Sequence, residues 1–165
     1  MTPYPKLDFT TPTPISTSLQ QVVGKYYVKG GLDPGLDCYD YATIDIKSVG
    51  DAIHHDLTIK FPEGPRTIST ILKNPTSPAT NSGAFELVYT LAGGGTNKWY
   101  VVGQSTDLLV IVYTGGNALS NYRGSYILSK TPQDLTADQL QSIKEMLAHA
   151  DSTLKIEEYC LNLKQ

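Results

Sequence analysis

Charge is scarce in this sequence, and long apolar runs are missing altogether. Asp, Glu, Lys and Arg make up 18% of the 165 residues, the formal net charge is −3, and no basic run exceeds two residues. Nucleic acid and anionic lipid are recognised through clustered Lys and Arg, so the composition supplies no footprint for either, and nucleic acid is not an expected partner. The longest apolar run, Leu108 to Tyr113, falls far short of the roughly 18–20 residues that a bilayer-spanning helix requires. Cysteine is limited to Cys38 and Cys160, compatible with one long-range link or with two separate thiols. There is no spaced Cys/His set, and the adjacent His54 and His55 point to opposite faces of a strand, so no metal is expected. A Gly-x-Ser-x-Gly elbow is also missing, and Cys38 has no neighbouring His to activate it. Thr2-Pro3-Tyr4-Pro5 after Met1 has none of the make-up of a signal peptide, which leaves the compartment to be read from elsewhere.

What the chain does have is β-forming sequence in a length that suits one domain with a sizeable core. Apolar residues make up 40% of it, in the ordinary globular range. Pro3, Pro5, Pro12 and Pro14 fix φ and remove backbone donors, so residues 1–16 read as an extended arm and residues 17–165 as the domain. After a short turn at Thr17 to Val23, segments rich in Val, Ile, Tyr and Thr alternate with Gly, Pro, Asn and Asp clusters. They predict strands at Lys25–Lys29, Tyr39–Lys47, Ile53–Phe61, Arg66–Leu72, Ala84–Leu91, Lys98–Gln104, Leu108–Thr114 and Tyr122–Lys130. Alternation of side chains points Ile53, His55, Leu57, Ile59 and Phe61 inward, together with Asp40, Ala42, Ile44 and Ile46. Eight strands suffice to close a barrel whose interior holds packed side chains or one small ligand. Gly93-Gly94-Gly95 reads as a hairpin turn. Thr136 and Gln139 form a capping box, Leu135 and Leu140 a hydrophobic staple, and Leu140, Ile143 and Leu147 share one face, which predicts a helix packed outside the barrel. A short strand around Tyr159 to Leu163 ends the chain. The expected fold is all-β: an eight-stranded antiparallel up-and-down barrel with one C-terminal α-helix.

Three short segments, Gly24-Lys25-Tyr26, Thr106-Asp107-Leu108 and Lys130, resemble in order and separation the three motifs of the lipocalin family: Gly-x-Trp, Thr-Asp-Tyr and a closing Arg. In that family the Arg stacks on the Trp at the closed end, so the resemblance implies that Tyr26 and Lys130 take those places with a weaker cation–π contact. Within the family, the chain is similar to the lipocalin domain of the violaxanthin de-epoxidases. The residues concerned are Gly24-Lys25-Tyr26-Tyr27, Gly31 through Asp40 (Gly-Leu-Asp-Pro-Gly-Leu-Asp-Cys-Tyr-Asp), Trp99-Tyr100-Val101, Val112-Tyr113, Asn121-Tyr122-Arg123-Gly124 and Ser152-Thr153-Leu154. The Cys-rich and Glu-rich regions that flank the enzyme's barrel are not in this sequence, so the resemblance covers the barrel. It implies a Cys38–Cys160 link, as lipocalins often tie the barrel wall to the C-terminal segment. Such a link closes a loop of about 120 residues, worth roughly 4–5 kcal/mol in the chain-entropy model. It favours an oxidising compartment: the thylakoid lumen if the de-epoxidase resemblance holds, the extracellular space for a generic lipocalin.

The same resemblance carries the enzyme's two cavity-mouth aspartates onto Asp37 and Asp40. Its proton-donating Asp, two residues before the strand Trp, falls on Asn97, and two of its tyrosines fall on Thr114 and Leu128. Opening an epoxide needs a positioned acid, so these three positions argue against that chemistry, and no catalytic residue is assigned. From the residues alone, Asp37 and Asp40 read either as an acid pair or as turn residues that bond their own backbone. His55 reads as a ligand contact or as a satisfied interior histidine. Phe61, Phe85, Tyr89, Trp99 and Tyr113 either line a polyene- or lipid-sized slot or pack a core. With Asn97 they make up the candidate ligand-binding set. The expected occupant is a hydrophobic small molecule, a carotenoid or other isoprenoid or a lipid, with no other cofactor. The alternatives are a small xanthophyll de-epoxidase that uses ascorbate, and a lumenal structural subunit docked to a pigment–protein complex or membrane surface through the arm.

Overall fold

The computed structural model describes residues 9–50, 52–73, 84–87, 96–116 and 120–165. Its strands are β1 (Gly24–Gly31), β2 (Ala42–Val49), β3 (Ala52–Phe61), β4 (Gly64–Lys73), β5 (Ala84–Leu87), β6 (Thr96–Gln104), β7 (Leu108–Gly116), β8 (Asn121–Ser129) and β9 (Cys160–Leu161). Each of β2 to β7 pairs antiparallel with the next, and β1 pairs with both β8 and β2, which curls the sheet back on itself. Among the described residues, β4 meets β5 at Leu72↔Leu87 and Lys73↔Glu86. The predicted up-and-down barrel is therefore the observed one, and β9 adds to the free side of β1 at Gly30 and Gly31.

The alternation read from the sequence sets the inside of the barrel. On β3, Ile53, His55, Leu57 and Ile59 are buried while their neighbours are half-exposed, and Ala42, Ile44 and Ile46 do the same on β2. The aliphatic ones join Tyr26, Leu109, Ile111 and Leu128 in one apolar core. A second core lies outside the barrel wall. There Leu108, Val110 and Val112 of β7 meet Ile143 and Leu147 of helix α2 (Ala137–Ala150). Strand β7 is thus covered on both faces, which is why it carries the longest apolar run in the chain. The predicted capping box is formed: Gln139 N donates to Thr136 Oγ1 at 3.1 Å and Thr136 N to Gln139 Oε1 at 2.9 Å.

Two segments close the ends. The turn before β1 is a single helical turn, α1 (Leu19–Val22), whose Val22 carbonyl accepts a hydrogen bond from the buried Tyr26 hydroxyl at 3.0 Å. Along the arm, Thr13 N donates to Ala150 O and Ile15 N to Val101 O, which lays the chain against β6 and the end of α2. The predicted turn at Gly93 to Gly95 lies outside the described residues.

One strand starts later than the alternation suggested. Strand β2 begins at Ala42, not Tyr39, because Tyr41 adopts a left-handed φ of 59° that breaks the extended run. Asp40 consequently leaves the inward face. It is exposed, and its carboxylate accepts the Lys164 N–H at 2.8 Å.

Candidate functional site

Above the barrel core the side chains leave a cavity of about 470 Å³, a size that suits a small organic ligand. Leu36 of the first loop and Ile68 of β4, both well exposed, stand at its rim. Deeper in, Leu57 and His55 of β3 face Trp99 of β6, and Tyr113, Tyr122 and Tyr126 of β7 and β8 form an aromatic wall. Tyr113 stacks on Tyr126 with centroids 5.5 Å apart and meets Tyr122 edge-on at 6.1 Å. No charged side chain lines the cavity among the described residues.

Behind the aromatic wall lies Asp37, 1% exposed. Its Oδ2 accepts the N–H groups of Asp33 at 2.8 Å and Ser125 at 3.1 Å, and its Oδ1 accepts the hydroxyl of Tyr113. Burial pushes this carboxyl above the usual range, partly offset by those donors. Two glycines make the arrangement possible. A Cβ on Gly31 would sit 2.7 Å from the Asp37 carbonyl oxygen, and one on Gly124 would sit 2.6 Å from Asp37 Oδ2. The Tyr113 and Tyr126 hydroxyls are driven upward by the same burial and stay protonated as donors.

Two residues of the lining, His55 and Asn97, carry buried polar atoms without a protein partner. His55 is 5% exposed, its ring meets Trp99 edge-on at 4.2 Å between centroids, and neither ring nitrogen has a hydrogen-bond partner within the protein. Burial drives its pKa down to about 3, so the imidazole is neutral. Asn97 Oδ1, also buried and without a protein partner, lies two residues from Trp99 on the same face of β6.

A model of the VDE lipocalin domain matches residues 8–162. The chain belongs to that family. Among solved structures it resembles lobster apocrustacyanin A1 (TM-score 0.64, 8% identity, 94% of this chain and 92% of that one). It also resembles the bovine lipocalin allergen Bos d 2 (0.64, 12%, 88% and 94%) and the siderocalin Ex-FABP (0.64, 15%, 88% and 95%). At these identities the likeness speaks for the lipocalin fold alone. No curated protein sequence matches the chain.

Within this VDE lipocalin domain, the structure gathers His55, Asn97, Trp99 and Tyr113 around the cavity. Asp37 is not in the lining and reaches it through Tyr113. Phe85, 1% exposed, belongs to the barrel core, and Phe61 packs against Tyr39 and beneath Arg66. Asp40 holds the C-terminal segment, and Tyr89 lies outside the described residues. Gly24 opens β1 opposite Ile46 with φ of 153°. Thr106 and Asp107 form the exposed turn before β7, where the Asp107 carbonyl accepts the N–H of Lys130, itself exposed. Cys38 and Cys160 are bonded, with Cα atoms 6.1 Å apart, and fasten the first loop to β9. Tyr122 and Tyr126 were not among the sequence candidates. Their signal was present: with Gly124 they alternate on one face of β8. Thr70, Leu36 and Ile68 gave no comparable sign.

The sequence also gave no hint of Lys29. It is 1% exposed, its Nζ donating to Pro132 O at 3.2 Å and Leu163 O at 2.9 Å and lying 3.6 Å from Asp134. The ammonium ties the end of β8 and the C-terminal segment to β1, away from the cavity.

Proposed function

We propose that this lipocalin domain is a binding protein that holds one hydrophobic small molecule, a carotenoid or other isoprenoid or a lipid, in the barrel cavity. The observation that carries this reading is the lining. Aromatic and aliphatic side chains dominate it, polar atoms are few, and charge is lacking among the described residues. Such a surface favours an apolar occupant, and the tyrosine wall offers flat faces to a polyene. Asn97 supports binding without turnover, because an amide donates a hydrogen bond but gives up no proton to an epoxide oxygen. The Cys38–Cys160 bond supports residence in an oxidising compartment, the thylakoid lumen in keeping with the family or otherwise the extracellular space.

One observation favours a second reading, a small de-epoxidase that uses ascorbate. The carboxyl of Asp37 is raised by burial and stands one hydroxyl away from the cavity, a placement from which an acid could act through Tyr113. One experiment separates the two. The protein is incubated with violaxanthin, a galactolipid and ascorbate across about pH 5–7.5, where a working carboxyl acid would show a pH dependence, and pigments are followed by chromatography. The binding reading predicts pigment that co-elutes with the protein and keeps its composition. Failure to co-elute contradicts it. Steady formation of product, abolished in Asp37→Asn, establishes the second reading instead.

A further inference from the structure

We infer that residues 162–165 act as a strap over the first loop, residues 32–41, with Tyr41 as its strained latch. Docked, the strap holds Tyr41 left-handed; lifted, it lets β2 lengthen past Tyr41 and frees the turn that carries Leu36 at the cavity rim.

The latch shows in the backbone. Among the described residues, Tyr41 and Asn162 are the two that hold a positive φ without being glycine, at 59° and 53°. That region suits Asn, but for a bulky side chain it is an outlier that the surroundings must maintain. Side-chain burial does not maintain it, because Tyr41 is 46% exposed. Lys164 does: its N–H donates to Asp40 Oδ1 at 2.8 Å, and its carbonyl accepts the Tyr41 N–H at 2.7 Å. The rest of the strap is bonded to β1. Leu163 N donates to Lys29 O at 3.2 Å, Lys29 Nζ to Leu163 O at 2.9 Å, and Gln165 Nε2 to Val28 O at 2.7 Å.

A second seat for Tyr41 is built into the sheet. Ala42 pairs with Ile59, which sets Tyr41 opposite Lys60, and the Lys60 N–H already donates to the Tyr41 carbonyl at 3.1 Å. Antiparallel residues paired in this way exchange two bonds, so the Tyr41 N–H completes the pair on the Lys60 carbonyl once it leaves Lys164. The backbone then becomes extended, the strain is relieved, and Asp40 turns to the face of Ala42 and Ile44 in keeping with the alternation of the sequence. One N–H with two exclusive acceptors is the bistable element.

Tyr39 carries the change to the cavity. Its hydroxyl donates to Gly35 O at 2.8 Å, which ties it to the turn that presents Leu36. Drawing Tyr39 into β2 breaks that bond. The Cys38–Cys160 link persists in both states and keeps the rearrangement local.

Amide hydrogen exchange of the full chain without ligand, followed by NMR, tests the strap at Leu163 N–H and the loop at Leu36 N–H, which donates to Asp33 O. Asp40→Ala is expected to speed exchange at both by up to about tenfold, the size of one hydrogen bond. Asp40→Asn, which keeps the acceptor, should stay near wild type. Tyr41→Gly should slow exchange severalfold, because glycine takes left-handed backbone without strain. Exchange that Asp40→Ala leaves unchanged, or that Tyr41→Gly speeds or leaves unchanged, overturns the inference. With all-trans-retinol bound, its dissociation followed through Trp99 fluorescence should quicken severalfold in Asp40→Ala and slow in Tyr41→Gly. Dissociation rates that ignore both variants overturn the strap's hold on the cavity rim. Failure of retinol to bind counts against the binding reading, and the exchange rates still decide the strap.

Discussion

The hydroxyl of Tyr113 on β7 donates to the buried carboxyl of Asp37 in the first loop, 76 residues earlier in the chain. This bond fixes the loop behind the cavity's aromatic wall, and the N–H groups of Asp33 and Ser125 converge on the same carboxyl. Replacing Asp37 with Ala strands two backbone donors and one hydroxyl in a dry site. The expected cost is about 3 kcal/mol of stability, whereas Tyr113→Phe, which removes one donor, costs about 1 kcal/mol. Urea unfolding of both variants checks the ranking; an Asp37→Ala protein as stable as wild type would show that the carboxyl does not organise the wall.

His55 gives stability a pH dependence. Its folded pKa of about 3 lies below the ordinary 6.5, so the unfolded chain takes up the proton first as pH falls. Stability from this group is therefore complete above about pH 6.5 and is lost progressively toward pH 3, by about 1.4 kcal/mol per pH unit. Asp37 works in the opposite direction, since its raised pKa favours the folded state at low pH. Comparing wild type with His55→Leu cancels that contribution: between about pH 6.5 and 4.5 wild type should lose roughly 2 kcal/mol more than the variant. Parallel pH profiles would mean that the imidazole is not held neutral.

The Cys38–Cys160 bond joins the first loop, which carries Asp37, to the strand that extends the sheet beyond β1. Cys38→Ser with Cys160→Ser is expected to lower stability by about 2–5 kcal/mol, chiefly by freeing the unfolded chain. Denaturant unfolding under oxidising and reducing conditions tests this, with wild type in reductant falling to the level of the double variant. Identical curves for oxidised wild type and variant would contradict it.

Much of this architecture was legible in the sequence because it is written in local periodicities. The alternation on β3 placed His55 inward, the capping box started α2 at its observed residue, and the motif order announced the barrel. What escaped was decided by contacts distant in sequence. Asp40 follows the alternation of β2 until Tyr41 turns into a left-handed conformation, with its N–H held by the carbonyl of Lys164. Nothing local foretells that bond. Lys29, only a strand end in the sequence, is buried because two carbonyls from the C-terminal part of the chain converge on its ammonium. The aromatic wall lay between: the parity of Tyr122, Gly124 and Tyr126 was visible, but its use depended on Gly124 leaving room for Asp37.

The central claim is that the cavity between His55 and the tyrosine wall is where the ligand sits, and Trp99, the chain's one tryptophan, reports on it directly. Titration with all-trans-retinol, whose absorption overlaps tryptophan emission, should quench that fluorescence saturably with one molecule bound per chain. Thr70→Phe, which fills part of the cavity from β4, should weaken binding at least tenfold while unfolding as wild type does. Saturable quenching that Thr70→Phe leaves untouched, or no saturable quenching by the wild-type protein, would contradict the claim.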